Sequence, residues 1–138
     1  MAQILYTSVM PSAEALKALY DTTGWTPQPR PVDVFAAALA GSWSTCSAYA
    51  AERLVGFGRV ISDGVLHAYL NEMIVAPDQQ GLGIGRQILD RLVAHCLYNG
   101  VTDIQLFCAE GKEAFYRKGG FVPRGPSRPG MQYLPHSA

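Results

Sequence analysis

The feature that most restricts the fold of this chain is a run of alternating glycines between an apolar segment and a helical pattern. It extends from Asn71 to Arg86 and reads Asn-Glu-Met-Ile-Val-Ala-Pro-Asp-Gln-Gln-Gly-Leu-Gly-Ile-Gly-Arg. The first half predicts the end of a strand, and the apolar period from Ile84 to Asn99 predicts a helix. A glycine loop at a helix N-terminus presents unpaired N–H groups and about half a positive charge, and the missing Cβ atoms let the backbone approach a phosphate closely. We therefore predict that this stretch binds a pyrophosphate.

The length and composition predict one globular domain covering residues 1–138. Hydrophobic residues make up 49% of the chain and charged residues 16%, which excludes wholesale disorder. Eleven basic residues balance eleven acidic ones, so no net field favours a nucleic acid or an anionic membrane. We expect neither of these partners.

The cysteines and the apolar segments indicate the cellular compartment in which we expect this protein. Cys46, Cys96 and Cys108 are an odd number without the spacing of a metal site, and they indicate reduced thiols in the cytoplasm. The N-terminal residues lack the pattern of a signal peptide, and no apolar run approaches the roughly 20 residues of a membrane span. We expect a cytoplasmic protein with no metal and no membrane span.

The predicted elements follow the order β-α-α-β-β-β-α-β-α-β-β, an α+β fold with one mixed sheet. The dipeptide Asp63-Gly64 predicts a two-residue hairpin turn, in which both residues need positive φ. The predicted strands are Ala2–Val9, Thr45–Ala50, Leu54–Ser62, Leu66–Val75, Val101–Cys108, Phe121–Pro123 and Met131–Leu134, and the helices begin after Ser12, at Pro31, at Ile84 and at Glu110.

Two blocks of the sequence resemble the GNAT family of N-acetyltransferases. The first, Gln80-Gly81-Leu82-Gly83-Ile84-Gly85, is similar to that family's acyl-CoA motif, and Val75-Ala76-Pro77-Asp78 resembles its lead-in. The second, Ala114-Phe115-Tyr116-Arg117-Lys118-Gly119-Gly120-Phe121, resembles the family's Phe-Tyr-x-x-x-Gly-Phe segment. The closing Pro129-Gly130-Met131 further resembles small bacterial and plant members that act on amines. Two motifs in the right order and at the right separation make the resemblance specific.

The resemblance implies a three-layer α/β/α fold around a splayed mixed sheet, with acetyl-CoA as co-substrate between the strands Leu66–Val75 and Asp103–Cys108. The pantetheine arm would pair with the backbone of Met73, Ile74 and Val75 as an added strand does. The backbone N–H groups that would hold the pyrophosphate belong to Gln80, Gly81, Leu82, Gly83, Ile84, Gly85 and Arg86. Members of the family often have Arg at the position of Gln80, and Arg86 would compensate for the lost charge.

The implied activity is direct transfer of an acetyl group to a primary amine, with Tyr116 and Glu72 as the catalytic residues. Tyr116 would protonate the leaving thiolate, and the other interpretation is a half-buried aromatic beside Phe115. Glu72 would take the proton of the amine, directly or through water, and the other interpretation is a carboxylate paired with Arg59 across the hairpin.

The acceptor is less well defined by the sequence. Trp25, Asp63 and Tyr69 are the candidate pocket residues, and their aromatic content favours a small-molecule amine. A protein or peptide amine remains an alternative, as does a non-catalytic module that senses acyl-CoA.

The glycine loop does not match two other phosphate-binding motifs. The spacing Gly-x-Gly-x-Gly differs from the dinucleotide fingerprint, and a P-loop would need Gly-Lys-Ser/Thr. By resemblance, we also expect a homodimer.

Overall fold

The computed structural model describes residues 3–135 and divides into two compact units, Met1–Leu106 and Phe107–Ala138, each considered by itself. Ala2, the first residue of the predicted first strand, lies outside the described residues. That residues 1–138 form one domain stays a prediction.

The first unit contains a five-stranded sheet with the order β1-β2-β3-β4-β5. Neighbours from β1 to β4 are antiparallel, and β4 pairs with β5 in parallel, which confirms the predicted mixed sheet. The strands are β1 Ile4–Thr7, β2 Ser44–Ala50, β3 Arg53–Ser62, β4 Ala68–Val75 and β5 Ile104–Gln105. The helices of this unit are α1 Ala13–Asp21, α2 Val32–Ala40 and α3 Ile84–Tyr98, with a 3-10 turn at Pro77–Gln79.

The first two helices begin where the sequence predicts, to within one residue. The hydroxyl of Ser12 accepts a hydrogen bond from the N–H of Ala15 at 3.1 Å, which makes Ser12 the N-cap of α1. Pro31 precedes α2 with φ −68°, and Gly41 closes that helix.

Helices cover both faces of the sheet, as a three-layer fold requires. On one face α3 approaches β3 closely because Gly56 and Gly58 lack side chains. A Cβ on Gly56 would lie 2.8 Å from the Cδ1 of Ile88, and one on Gly58 would lie 2.9 Å from the Cδ1 of Leu92. On the other face, Arg59 of β3 reaches the backbone of α2. Burial of the α3 contact residues Ile84, Ile88, Leu89 and Leu92 against the sheet stabilises this arrangement.

The sheet is splayed between β4 and β5. Only Ala68 with Ile104 and Tyr69 with Gln105 are paired, although β4 continues to Val75. In the part of the first unit that the structure describes, residues 70–75 therefore have no partner strand on the β5 side. The predicted opening is present, and it begins directly after Tyr69.

The predicted two-residue turn at Asp63-Gly64 is wrong. The last pair of the β3–β4 hairpin joins Ser62 and Ala68, so the connection has five residues, 63–67. The Oδ1 atom of Asp63 accepts hydrogen bonds from the N–H groups of Val65 and Leu66 at 2.8 Å and of His67 at 3.3 Å. A carboxylate that caps several N–H groups stabilises a longer loop, in which Gly64 has positive φ and Asp63 does not.

The two last predicted strands are also wrong. Within residues 107–135, the described part of the second unit, the one regular element is α4, Glu113–Lys118, and both Phe121–Pro123 and Met131–Leu134 are irregular. Pro123, Pro126 and Pro129 each remove an N–H donor, and a proline-rich segment does not pair regularly.

Candidate active site

The glycine loop leads into a helix whose first N–H groups have no capping side chain. The N-cap of α3 is Gly83, and no described side chain bonds to this helix end. The N–H of Gln87 donates to the carbonyl of Gly83 at 3.1 Å, which is the first α-helical bond. The N–H groups of Ile84, Gly85 and Arg86 thus precede the first intrahelical donor, and the helix end favours an anion.

Gly81 and Gly83 give the loop its backbone path. Their φ angles are +80° and +84°, in the left-handed region that glycine adopts without strain. A Cβ at either position would meet no described atom within 4 Å, so the space beside the loop is open. Leu82, between them, is 60% exposed. An open loop of this shape fits a bulky phosphate group.

The amide side chain of Gln80 and the guanidinium group of Arg86 both bond to neighbouring protein groups. Gln80 donates its side-chain N–H to the carbonyl oxygen of Val75 at 3.1 Å. The Nε of Arg86 donates to both carboxylate oxygens of Asp90, at 2.9 and 3.1 Å. This i,i+4 ion pair is exposed, and the compensation by the Arg86 side chain stays a prediction.

An ion pair that the sequence did not reveal fixes the approach to the loop. Both terminal nitrogens of Arg53 donate to the carboxylate of Asp78, at 2.8 and 2.7 Å. These hydrogen bonds lower the pKa of Asp78 to about 2. The two residues are 25 positions apart on different elements, so no local pattern predicts the pair.

Strand β4 contains a bulge at the predicted base, Glu72. Phe57 pairs with Ile74 and Arg59 pairs with Asn71, so Glu72 and Met73 together lie opposite one residue of β3. Glu72 has φ +54°, and its N–H donates to the side-chain oxygen of Asn71 at 2.9 Å.

The ladder beyond the bulge determines which backbone groups face the opening. The N–H of Ala76 donates to the carbonyl of Val55, and the alternation of an antiparallel ladder then directs the backbone groups of Ile74 towards Phe57. Of the three predicted pantetheine-binding residues, Met73 and Val75 consequently have backbone groups on the open side.

The carboxylate of Glu72 forms an ion pair with Arg59. The Nη2 to Oε1 distance is 3.5 Å, and the side chains of Arg59 and Glu72 are 12% and 23% exposed. The alternative interpretation of Glu72 as a partner of Arg59 is thus confirmed, and its role as a base stays a prediction. Tyr69 belongs to the same cluster, because burial and then Glu72 raise the pKa of its phenol while Arg59 opposes them.

Tyr116 lies on α4 in the second unit. Its ring packs edge-on against Phe115, with centroids 5.0 Å apart, and against Phe121 at 6.1 Å. Burial, and secondly Cys108, raise the pKa of the phenol above its ordinary value of 10.0. Tyr116 is therefore protonated at neutral pH, the form that a proton donor requires.

Comparison with known proteins identifies the family. Residues 42–123 match the model of the acetyltransferase (GNAT) domain. The chain belongs to the GNAT family. The match includes the glycine loop, the β4 bulge and α4, and it agrees with the resemblance of both sequence blocks.

Individual relatives of this GNAT chain are also named as acetyltransferases. A soybean (Glycine max) histone acetyltransferase is 31% identical over 132 residues, which cover 88% of this chain and 56% of that protein. A chloroplastic serotonin N-acetyltransferase of rice (Oryza sativa subsp. japonica) is 39% identical over 83 residues, 60% of this chain and 42% of that protein. A solved structure of a probable acetyltransferase from meticillin-resistant Staphylococcus aureus superposes with a TM-score of 0.84 at 26% identity, covering 97% and 100% of the two chains.

The three predicted acceptor residues of this GNAT chain have different surroundings. Trp25 is 49% exposed and packs edge-on against Tyr20, with centroids 5.6 Å apart. Tyr69 joins the cluster of Glu72, whereas the Asp63 carboxylate caps its own loop. Hydrogen bonds from the N–H groups of that loop lower the pKa of Asp63.

Two further findings concern metals and membranes. Within residues 3–135, no group of three or more His, Cys, Asp or Glu side chains is arranged to hold a metal ion. Of the helices in the described ranges, none combines the length and the apolar character needed to cross a membrane.

Proposed function

We propose that this GNAT protein transfers an acetyl group from acetyl-CoA directly to the primary amine of a small molecule. The observation that carries the proposal is the continuity of two features, the unpaired side of β4 and the uncapped N-terminus of α3. Backbone groups of Met73 and Val75 would pair with the pantetheine arm, and the N–H groups from Gln80 to Arg86 would hold the pyrophosphate.

The chemistry requires two proton transfers. Acetyl-CoA supplies a thioester, whose carbonyl carbon forms a bond with the amine nitrogen while the bond from carbon to sulfur breaks. Glu72 would accept the proton that the amine loses, directly or through one water. Tyr116 would donate a proton to the departing thiolate, and its raised pKa keeps it protonated for that role.

We infer that the acceptor is a small primary amine that also carries an aromatic ring. Trp25 offers a half-exposed ring, and the negative charge of Glu72 helps to raise the pKa of the Tyr69 phenol. The rice relative is named for serotonin, an amine of this kind. Trp25 and Tyr69 are better candidates for acceptor contacts than Asp63, because the carboxylate of Asp63 already accepts three backbone hydrogen bonds.

Two alternatives have different consequences. The soybean relative is named a histone acetyltransferase, which favours a lysine or an N-terminus of a protein as second candidate acceptor. A sensor module would bind acetyl-CoA without turnover. The cytoplasmic location, the homodimer and the lack of nucleic-acid, membrane and metal partners remain parts of the proposal.

A thermal-shift titration followed by an amine panel tests the proposal. Acetyl-CoA at a hundred times its dissociation constant should stabilise the protein by about 2.7 kcal/mol, and NADH serves as control nucleotide. The panel compares aromatic amines, aliphatic polyamines and a histone-tail peptide by release of free thiol. No stabilisation by acetyl-CoA would contradict the proposal. Stabilisation without turnover indicates the sensor, and turnover of the peptide alone indicates the protein acceptor.

A further inference from the structure

We propose that Arg59 is a positioning residue that, with Asn71, holds the carboxylate of Glu72 in place for proton uptake from the acceptor amine. This inference rests on the proposed function, because it assumes that Glu72 is the base. It assigns a role to Arg59 and Asn71, two residues outside both sequence motifs.

The first observation is the strained backbone at Glu72. Among the described non-glycine residues, only Ala51 and Glu72 have positive φ, at 53° and 54°. Ala51 lies in the turn between β2 and β3, where such a conformation is common. Glu72 lies inside a strand, where glutamate adopts it only if the surroundings impose it, and strain of this kind concentrates at functional sites.

Asn71 supplies part of those surroundings. The bulge removes the N–H of Glu72 from the regular ladder, and the side-chain oxygen of Asn71 accepts it at 2.9 Å. This bond fixes the backbone from which the carboxylate projects. A residue without an acceptor at position 71 would leave that N–H without this partner.

Arg59 restrains the carboxylate itself. Its Nη2 faces Oε1 of Glu72 at 3.5 Å, while its Nη1 lies 3.3 Å from the carbonyl of Ala38 and 3.4 Å from the hydroxyl of Ser42. The guanidinium group thus joins the bulge of β4 to the end of α2. One terminal nitrogen holds the carboxylate, and the other holds the helix.

These contacts are poor as stabilising interactions. All three distances lie at the long end of the hydrogen-bond range, and the buried Nε of Arg59 has no hydrogen-bond partner within residues 3–135. Apolar residues in place of such a pair are often as stable or more stable. An under-satisfied arginine beside a strained glutamate is therefore better explained by orientation of the carboxylate than by stability.

The charges around the pair fit this role. The groups that act on one another here are Arg59 of β3 and Glu72 and Tyr69 of β4. Helix α2 contributes the carbonyl of Ala38, and the segment after that helix contributes the hydroxyl of Ser42. Arg59 is the one cation among them, so it balances the carboxylate. Its removal takes away the one ion-pair partner that Glu72 has among residues 3–135, and we expect the carboxylate to be less restrained as a result.

A double-mutant cycle tests the inference on the full chain, with the amine turned over best in the panel. The variants are Arg59→Met, Glu72→Gln and the double variant, and kcat is measured at saturating acetyl-CoA. We expect kcat to fall about 10²-fold for Glu72→Gln and about tenfold for Arg59→Met, with the double variant within about twofold of Glu72→Gln alone. Arg59→Lys should recover part of the loss, because a cation is restored. The control Lys17→Met removes an ion pair of α1 and should leave kcat unchanged.

The outcomes separate this inference from the proposed function. Stabilisation by acetyl-CoA is measured for each variant, so that a loss of folding is distinguished from a loss of turnover. Asn71→Ala provides a second, milder perturbation, and its effect on kcat should show the same coupling to Glu72→Gln. If the fold-decreases in kcat of Arg59→Met and Glu72→Gln multiply in the double variant, the positioning role is overturned. The proposed function then still stands. A wild-type protein that binds acetyl-CoA and turns over no amine overturns both.

Discussion

The side-chain amide of Gln80 donates a hydrogen bond across 3.1 Å to the carbonyl oxygen of Val75. This bond joins the glycine loop to the end of β4, so the loop that would hold the pyrophosphate is oriented by the strand that would hold the pantetheine arm. Gln80, at the position where the resembled motif often has arginine, thus connects the glycine loop to strand β4.

The loss of this bond should weaken binding of acetyl-CoA. Gln80→Ala removes a net contribution of about 1 kcal/mol, which corresponds to roughly a fivefold higher Kd. Isothermal titration calorimetry measures the change. Gln87→Ala, an exposed glutamine further along α3, is the matched control, and an equal effect of both substitutions would contradict the role of Gln80.

Alanine at Gly81 should reduce both stability and affinity. The φ of +80° costs an L-residue about 1–2 kcal/mol, and the new Cβ occupies the open space beside the loop. Gly100→Ala has the same φ and the same open surroundings, but lies beyond the far end of the 15-residue helix α3, about 22 Å away. Urea denaturation should show similar losses for both variants, and calorimetry should show weaker acetyl-CoA binding for Gly81→Ala alone. Weaker binding by Gly100→Ala as well would assign the effect to general destabilisation.

Removal of the Tyr116 hydroxyl should slow turnover without weakening acetyl-CoA binding. Because a thiolate is already a good leaving group, we expect Tyr116→Phe to lower kcat by about 10²-fold, the lower end of general acid catalysis. Steady-state thiol release measures kcat, and Tyr98→Phe, at a tyrosine that is 90% exposed, is the control. Wild-type turnover by Tyr116→Phe would remove Tyr116 from the mechanism.

Ser47→Ala should raise the free energy of unfolding. The Ser47 hydroxyl is buried in β2 and has no hydrogen-bond partner among the residues that the structure describes, so its removal should gain about 1 kcal/mol. Its neighbour Thr45 is also buried but donates to the carbonyl of Ser8 at 3.2 Å. Thr45→Val should therefore lower stability in the same urea titration. The opposite order of the two variants would show that Ser47 has a partner in solution.

The ion pair between Arg53 and Asp78 should contribute stability that depends on acid pH. Arg53 lowers the pKa of Asp78 from 3.8 to about 2 in the folded protein, so the contribution is complete only above about pH 5 and is lost as the pH falls through 2. The difference in unfolding free energy between wild type and Asp78→Asn should therefore be constant near neutral pH and should shrink steadily between about pH 5 and pH 2. Both residues are exposed, so the difference is small. A difference that does not shrink over this pH range would argue against the pair as its source.

The parts that the sequence predicted are those with local causes. The glycine loop before α3, the apolar period of that helix and the cap at Ser12 are each determined within a few residues. The splayed mixed sheet followed from the resemblance of two motifs to a family with that fold.

The parts that the sequence missed depend on distant pairing. Glu72 adopts positive φ because β3 and β4 shift register around it, and the pair of Arg53 with Asp78 joins residues on two elements. The two-residue turn predicted after Ser62 is wrong for a different reason. Asp63 stabilises a longer loop with its own carboxylate, which a dipeptide rule does not consider.

The bulge in β4 has a consequence for solubility. Within the described part of the first unit, residues 70–75 have no partner strand on the β5 side, and an unpaired strand edge attracts strands of other molecules. At the bulge, two residues of β4 lie opposite one residue of β3. This breaks the even spacing of backbone donors and acceptors along β4 that a strand from another molecule would need for continuous pairing. We therefore expect the distortion at Glu72 to disfavour intermolecular pairing along this strand.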